Sequence, residues 1–245
     1  MSFFKVSSNM LLTELPEGVF GTVSFERIEI IYVPNLVTVH PSVILQSRDT
    51  LQSMMITSGR LGDFPWSILP EMNSLKNVSV EGHSLTSLPV LQSSTLEGLY
   101  LQLNSISAVE AGWSMPLLKN LYLDGNPITK LPTGLLEEFA NLENFSCMRC
   151  SMGPTIHTDS LNFNSNVLEV LDLGYNGITF LEPGAITGLA RGPLMFLNNN
   201  LITEIAEESF RPMVEVLSMG PGVIILSAAK GNLHECLSYR NTSLF

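Results

Sequence analysis

The segment Leu96-Glu-Gly-Leu-Tyr-Leu-Gln-Leu-Asn-Ser-Ile106 decides the fold, because its order of apolar residues and asparagine recurs along the chain. The ranges 118–128 and 168–178 repeat the same three strand leucines, the same asparagine and the same closing isoleucine. A pattern that returns at a regular distance indicates repeated structural units that stack on one another, rather than one folded core.

Weaker copies fill the intervals between these three. The second apolar position of each copy falls on Phe4, Ile28, Met54, Val78, Leu99, Leu121, Phe145, Leu171, Met195 and, least clearly, Val216. These positions are 21 to 26 residues apart, within the 20 to 29 residues of a leucine-rich repeat. The sequence therefore predicts an α/β leucine-rich-repeat solenoid, a right-handed horseshoe with a concave parallel sheet and short helical or irregular convex arms. It predicts about nine to ten repeats over residues 1–223 and a degenerate tail over 224–245.

The residue types fit this architecture. Alternate residues of a strand point to opposite faces, so the apolar positions enter the core and the residues between them face the concave side. The asparagine lies where the chain leaves the strand, and its short amide can satisfy buried backbone groups of neighbouring coils. His83 and Cys150 occupy this asparagine position in two copies.

Composition and motifs argue against several kinds of function. The net charge of −11 and the lack of a basic run argue against nucleic-acid binding. Cys147 and Cys150 resemble a metal or redox motif, but both fall on repeat positions and are interpreted as buried small residues, with a local disulfide left open. We expect no catalytic residues, no metal site and no cofactor, because no nucleophile–base set or phosphate-binding loop can be assembled.

The chain begins inside a repeat, since Phe4 and Val6 already occupy strand positions. We therefore expect that the N-terminal cap is missing and that the uncapped ends favour self-association. No signal peptide is visible in this sequence, and no stretch is apolar and continuous enough to span a membrane.

The concave face is the usual recognition surface of a solenoid, so its solvent-facing positions are the candidate partner-binding residues. These candidates are Tyr100, Gln102, Tyr122, Asp124, Ser146 and Asp172. Tyr100 and Tyr122 hold equivalent positions in adjacent copies and should lie side by side, either as a binding hot spot or as a pair that only stiffens the sheet. Together with Glu81, the carboxylates of Asp124 and Asp172 predict a protein partner of basic or polar character.

Three Asn-x-Ser sequences are candidate glycosylation sites, at Asn77, Asn144 and Asn241. Asn77 and Asn144 each directly precede the second apolar strand position, so both should face solvent on the concave sheet. A glycan on either one would obstruct part of that face.

The stretch from Leu12 to Ile30, followed by the copies above, resembles the extracellular arthropod leucine-rich-repeat proteins of the oplophorus-luciferin 2-monooxygenase non-catalytic subunit type. The resemblance implies a secreted protein without catalytic activity, serving as an accessory subunit beside another chain. The chain departs from these proteins in lacking cysteine-rich caps. The alternative function is the ligand-binding ectodomain of a leucine-rich-repeat membrane receptor.

Overall fold

The computed structural model describes residues 2–190 and 192–227 of the 245-residue chain. The candidate sequon at Asn241 and most of the predicted tail lie outside the described residues.

Ten short parallel strands form one sheet and follow one another across it in chain order. We number the coils of the solenoid 1 to 10 by these strands. The strands are Phe3–Ser7, Arg27–Ile31, Ser53–Thr57, Asn77–Glu81, Gly98–Tyr100, Asn120–Tyr122, Asn144–Ser146, Val170–Asp172, Leu194–Phe196 and Val223–Ile225. The arrangement confirms the predicted leucine-rich-repeat solenoid with a parallel sheet. We call the sheet face that points away from the core the concave face.

The register predicted from the sequence is confirmed for coils 1 to 9. Each second apolar position pairs with the next one along the chain, from Phe4 opposite Ile28 to Leu171 opposite Met195. In the last coil the prediction is wrong, because Met195 pairs with Ile224, whereas Val216 lies in the α-helix Glu207–Ser218.

This helix explains the error in coil 10. Its buried residues Phe210, Met213 and Leu217 recur at helical spacing, so the apolar pattern around Val216 belongs to an arm and not to a strand. The tenth strand also crosses the predicted domain boundary between residues 223 and 224.

The arms that return the chain to the sheet are short, as predicted. They contain the α-helices Pro41–Leu45 and Glu207–Ser218 and the 3₁₀ helices Trp66–Glu71 and Leu135–Glu138. Two-residue parallel strands link neighbouring arms: Glu14–Leu15 with Thr38–Val39, Ser87–Leu88 with Ala108–Val109, Thr155–Ile156 with Phe180–Leu181, and Leu161–Asn162 with Ile186–Thr187. The sheet and the arms enclose a single apolar core, in which Leu101, Leu123, Leu173 and Leu197 are buried as predicted.

A buried side chain closes the exit of most strands. Asn126 donates from Nδ2 to the carbonyl oxygens of Leu101 (2.9 Å) and Leu123 (2.8 Å), and its Oδ1 accepts from the backbone nitrogen of Ile106 (3.0 Å). It thus ties its own strand end to the preceding coil. Asn104, Asn176 and Asn200 each make the same two kinds of Nδ2 bond. We call this arrangement the strand-exit clamp.

In coil 4, a histidine serves as the clamp. His83 Nε2 donates to the carbonyl oxygen of Ile56 (3.1 Å), and Nδ1 accepts from the backbone nitrogen of Leu61 (3.3 Å). These bonds to coil 3 match those that asparagine makes to the preceding coil. The larger ring fits because coil 3 has Gly59 at the equivalent position, where a Cβ would lie only 2.6 Å from His83 Cε1. Desolvation lowers the pKa of His83, although the bond to Ile56 partly opposes the shift.

In coil 7, the clamp is covalent. Cys147 and Cys150 form a disulfide with a Cα–Cα distance of 5.6 Å, so the alternative left open by the sequence is the one the structure contains. Both cysteines are buried, as interpreted from their repeat positions. The disulfide joins the two positions that asparagine links by a hydrogen bond in coils 5, 6, 8 and 9. It is therefore the covalent counterpart of the asparagine bond within one strand exit.

Candidate functional site: the concave face of coils 4 to 7

Two stacked tyrosine rings stand at the centre of the concave face. Tyr100 and Tyr122 are direct partners in the parallel register, as predicted from their equivalent positions. Their ring centroids lie 5.4 Å apart with an angle of 11° between the planes, and both side chains are half-buried. We call this pair the tyrosine ridge. Because both residues belong to paired strands, the sheet fixes the ridge before any partner arrives.

Burial raises the pKa of the Tyr100 hydroxyl, and Tyr122 and Glu81 raise it further. Tyr100 is therefore neutral at physiological pH, and the ridge offers aromatic surface together with hydroxyl groups.

A serine paired with a carboxylate stands on each side of the ridge. On the coil 4 side, Ser79 Oγ donates to Glu81 Oε1 at 2.6 Å. On the coil 7 side, Ser146 Oγ donates to Asp124 Oδ1, which also accepts from the backbone nitrogen of Met148 at 2.8 Å. The ridge thus stands between two small residues, because the register places Ser79 beside Tyr100 and Ser146 beside Tyr122.

The prediction that all the candidate residues are open to solvent is wrong for Asp124 and Ser146, which are 3% and 1% exposed. Alternation along a strand assigned both residues to the concave face, but the hydrogen bond between their side chains holds them against the sheet. Gln102 and Asp172 are half-buried, and Asp172 Oδ1 accepts from the backbone nitrogen of Gly174 at 2.9 Å.

Gln102 lies between two carboxylates at the strand exits. Gly82 donates its backbone N–H to the carbonyl oxygen of Gln102 (2.9 Å), and Leu103 donates to that of Asp124 (2.8 Å), which places Glu81, Gln102 and Asp124 side by side. The side-chain oxygen Oε1 of Gln102 is buried and has no hydrogen-bond partner among the described residues. A buried acceptor without a donor is costly, so rotation of the half-buried Gln102 side chain towards a donor from a partner would be favourable.

At the opposite ends of these strands, charges are already paired. Glu97 accepts from Lys76 at 3.0 Å and from Lys119 at 2.9 Å. The bonds to Lys119 and then to Lys76 lower the pKa of Glu97, and the bond to Glu97 raises the pKa of Lys119. At the strand entrances, the Glu97 carboxylate is thus paired with two bases, in contrast to the carboxylate of Glu81 at the strand exits.

The two sequons that can be described lie beside the ridge and are half-buried. Asn77 approaches Tyr100 across coil 5, since a Cβ at Gly98 would lie 2.5 Å from Asn77 Oδ1 and 2.8 Å from Tyr100 Cε2. A side chain at position 98 would therefore displace Asn77 or the ring of Tyr100, which the repeat pattern alone did not indicate. Asn144 donates from Nδ2 to Asn120 Oδ1 at 2.8 Å, so its amide nitrogen is already hydrogen-bonded.

Over residues 2–190 and 192–227, no group of three His, Cys, Asp or Glu side chains is placed to hold a metal ion. Within the same ranges, no helix is long and apolar enough to cross a bilayer. A cleft of about 470 Å³ lies on the arms, lined by Glu137, Glu138, Asn162, Phe163, Asn164 and Thr187, and none of the predicted partner-binding residues lines it.

Comparison with known proteins agrees with the fold. A family model described as Leucine Rich Repeat matches residues 167–189. The chain is 26% identical over 238 residues to the Oplophorus-luciferin 2-monooxygenase non-catalytic subunit of Oplophorus gracilirostris, covering 86% of this chain and 59% of that protein. It is 30% identical over 189 residues to lumican of Gallus gallus, covering 74% of this chain and 50% of lumican.

Lumican of Coturnix japonica is 29% identical over the same length. The chain thus spans 59% of the first relative and 50% of the lumicans. Its repeats and its parallel sheet make the chain a leucine-rich-repeat solenoid, in agreement with the match of residues 167–189 to the family model.

Proposed function

We propose that this chain is a non-catalytic extracellular module that binds a protein partner on its concave face, around the tyrosine ridge. The observation that carries the proposal is the stacked pair of Tyr100 and Tyr122, fixed on a rigid sheet with hydrogen-bonding groups beside it. Tyrosine is enriched in binding hot spots because it offers a large rigid surface and a hydroxyl at small entropic cost.

The similarity to a protein named as a non-catalytic subunit supports the lack of catalysis and favours an accessory role in a complex. An extracellular location is supported by the disulfide between Cys147 and Cys150, since such bonds persist mainly in oxidising compartments. Other apolar residues are exposed away from the ridge, such as Phe180 and Leu201, and no ring contact within the described residues involves Phe180.

The experiment begins with capture of the partner from the extracellular fluid of the source tissue on the immobilised protein. The affinity of this partner is then measured for the wild type and for the double variant Tyr100→Ala/Tyr122→Ala. We expect a loss of about 2 kcal/mol or more, which is roughly 30-fold in Kd. A matched pair, Phe180→Ala/Leu201→Ala, removes exposed apolar surface elsewhere and should leave the affinity unchanged.

Circular dichroism and the urea midpoint verify that each variant is folded. If the tyrosine variant is folded and binds with unchanged affinity, recognition does not take place on the ridge. If the control pair loses affinity instead, the arms carry the interface.

Glycosylation of Asn77 provides an independent test of whether the partner binds at the tyrosine ridge. A glycan on Asn77 would stand beside Tyr100, because both side chains meet over Gly98. We expect the glycosylated form to bind more weakly than the Asn77→Gln variant made in the same secretory host. Mass spectrometry reports whether Asn77 and Asn144 carry glycans, and equal affinities of a glycosylated and an unglycosylated protein would argue against binding at this end of the ridge.

A further inference from the structure

The ridge and the acidic strand exits lie next to each other, and together they specify the chemistry of a partner. Glu81 lies on the strand beside Tyr100 and is half-buried rather than covered. One of its oxygens accepts from Ser79, a neutral donor. Within the described residues, no ion pair involves Glu81, in contrast to Glu29 on the concave face and Glu97 at the strand entrances.

Glu29 shows how this surface neutralises a carboxylate when a base is available. It forms ion pairs with Lys5 at 3.0 Å and with Arg27, so its negative charge is compensated by two bases of coils 1 and 2. Coils 4 to 6 have no equivalent base beside Glu81, because Lys76 and Lys119 are bonded to Glu97 at the other end of the strands. The carboxylate of Glu81 therefore keeps a preference for a cation from outside the chain.

The groups next to Glu81 specify two further properties of the cation that would bind there. An aromatic ring attracts a cation through its electron-rich face, most strongly a planar guanidinium, which can also stack on the ring. Gln102 Oε1 lacks a donor, and a guanidinium has five N–H groups and no acceptor. The ridge, the carboxylate of Glu81 and the Gln102 oxygen without a donor lie in adjacent strands. Together they match one cationic side chain that has several donors.

We propose that Tyr100, Tyr122, Glu81 and Gln102 form a subsite that receives an arginine side chain of the protein partner, with its guanidinium against the ridge and hydrogen-bonded to Glu81. This inference rests on the proposed function and names the chemistry of its partner. The side chain of Asp124 lies on the far side of Gln102.

The test uses defined peptides as probes. The protein is titrated with an acetylated, amidated octapeptide of alternating glycine and arginine, and with the same peptide containing citrulline, which keeps the shape and loses the charge. We expect the arginine peptide to bind about fivefold more tightly or better, and to weaken as salt is raised. Bound arginine should also lower the pKa of Tyr100, because a cation stabilises the phenolate, and absorbance at alkaline pH reports this shift.

Two variants localise the effect. Glu81→Gln keeps an oxygen for the Ser79 hydroxyl and removes only the charge, so the fold is maintained and the preference for arginine over citrulline should fall to near one. Glu110→Gln removes an exposed carboxylate on the arm and serves as the charge-matched control, with the preference unchanged.

The outcomes separate this inference from the proposed function. Equal binding of the two peptides, or an unchanged preference in Glu81→Gln, would overturn the arginine subsite. If the captured partner still depends on Tyr100 and Tyr122 in that case, the concave face binds a neutral partner and the proposed function stands. If neither the tyrosines nor Glu81 matter, both proposals are wrong.

Discussion

Replacing Asn126 with alanine should lower the free energy of unfolding by about 3 kcal/mol, because one amide serves three buried backbone groups. Its Nδ2 donates to the carbonyl oxygens of Leu101 and Leu123, and its Oδ1 accepts from Ile106. Each such bond contributes roughly 1 kcal/mol net, and a buried group left without a partner costs about 1–3 kcal/mol. Asn126 is only 1% exposed, so water cannot replace the lost bonds without a local rearrangement.

Urea unfolding followed by circular dichroism measures this change. A lower midpoint with an unchanged slope indicates a loss of stability rather than a change in the unfolded state. The matched control is Asn120→Ala, which makes the same chemical change in the same coil but removes only a bond to Asn144 on the concave face. Asn120→Ala should lower the free energy of unfolding by less than about 1 kcal/mol. If the two variants lose equal stability, or if Asn126→Ala stays within about 0.5 kcal/mol of wild type, the strand-exit clamp does not stabilise the solenoid as argued.

The other two clamps give further predictions. Burial lowers the pKa of His83 in the folded state, so the stability it contributes is complete above the unfolded value of about 6.5 and is lost as the pH falls from there towards the folded value. His83→Asn, which restores the common clamp residue, should flatten the dependence of the urea midpoint on pH between about 5 and 7.5, and an identical slope in both proteins would contradict this role. Reduction of the disulfide should lower the free energy of unfolding of the wild type by about 2 kcal/mol, because the chain-entropy estimate for so short a loop has this size. The stability of the variant Cys147→Leu/Cys150→Asn should not change when reductant is added. If the reductant lowers the stability of the variant as much as that of the wild type, the disulfide is not the source of the loss.

The architecture could be predicted from the sequence because the repeat spacing fixes the register, and the register fixes which residues are neighbours. Leu99 and Leu121 occupy the same position in successive copies, so the pairing of Tyr100 with Tyr122 followed directly. The last coil was assigned wrongly because a twelve-residue helix lies between Met195 and Ile224, and its own apolar periodicity resembled a weak strand.

The exposure of individual site residues could not be predicted in the same way. Alternation along a strand assigns a side chain to a face, but only the neighbouring side chains determine whether it reaches solvent. Asp124 and Ser146 lie on the predicted face, yet the bond between them buries both. The same limit applies to the clamp positions, because the pattern placed His83 and Cys150 at strand exits without their neighbours. The structure shows that Gly59 leaves space for the ring of His83, and it settles the disulfide of Cys150 with Cys147 that the sequence had left open.

Hydroxyl-radical footprinting of the complex with the captured partner tests the central claim most directly, since it reports which side chains the partner covers. We expect the oxidation of Tyr100 and Tyr122 to fall sharply on binding. Tyr32, which is 50% exposed in coil 2, should react at the same rate in the free and bound protein and serves as the internal control. Unchanged oxidation of both ridge tyrosines in a saturated complex would contradict recognition on the concave face of coils 4 to 7.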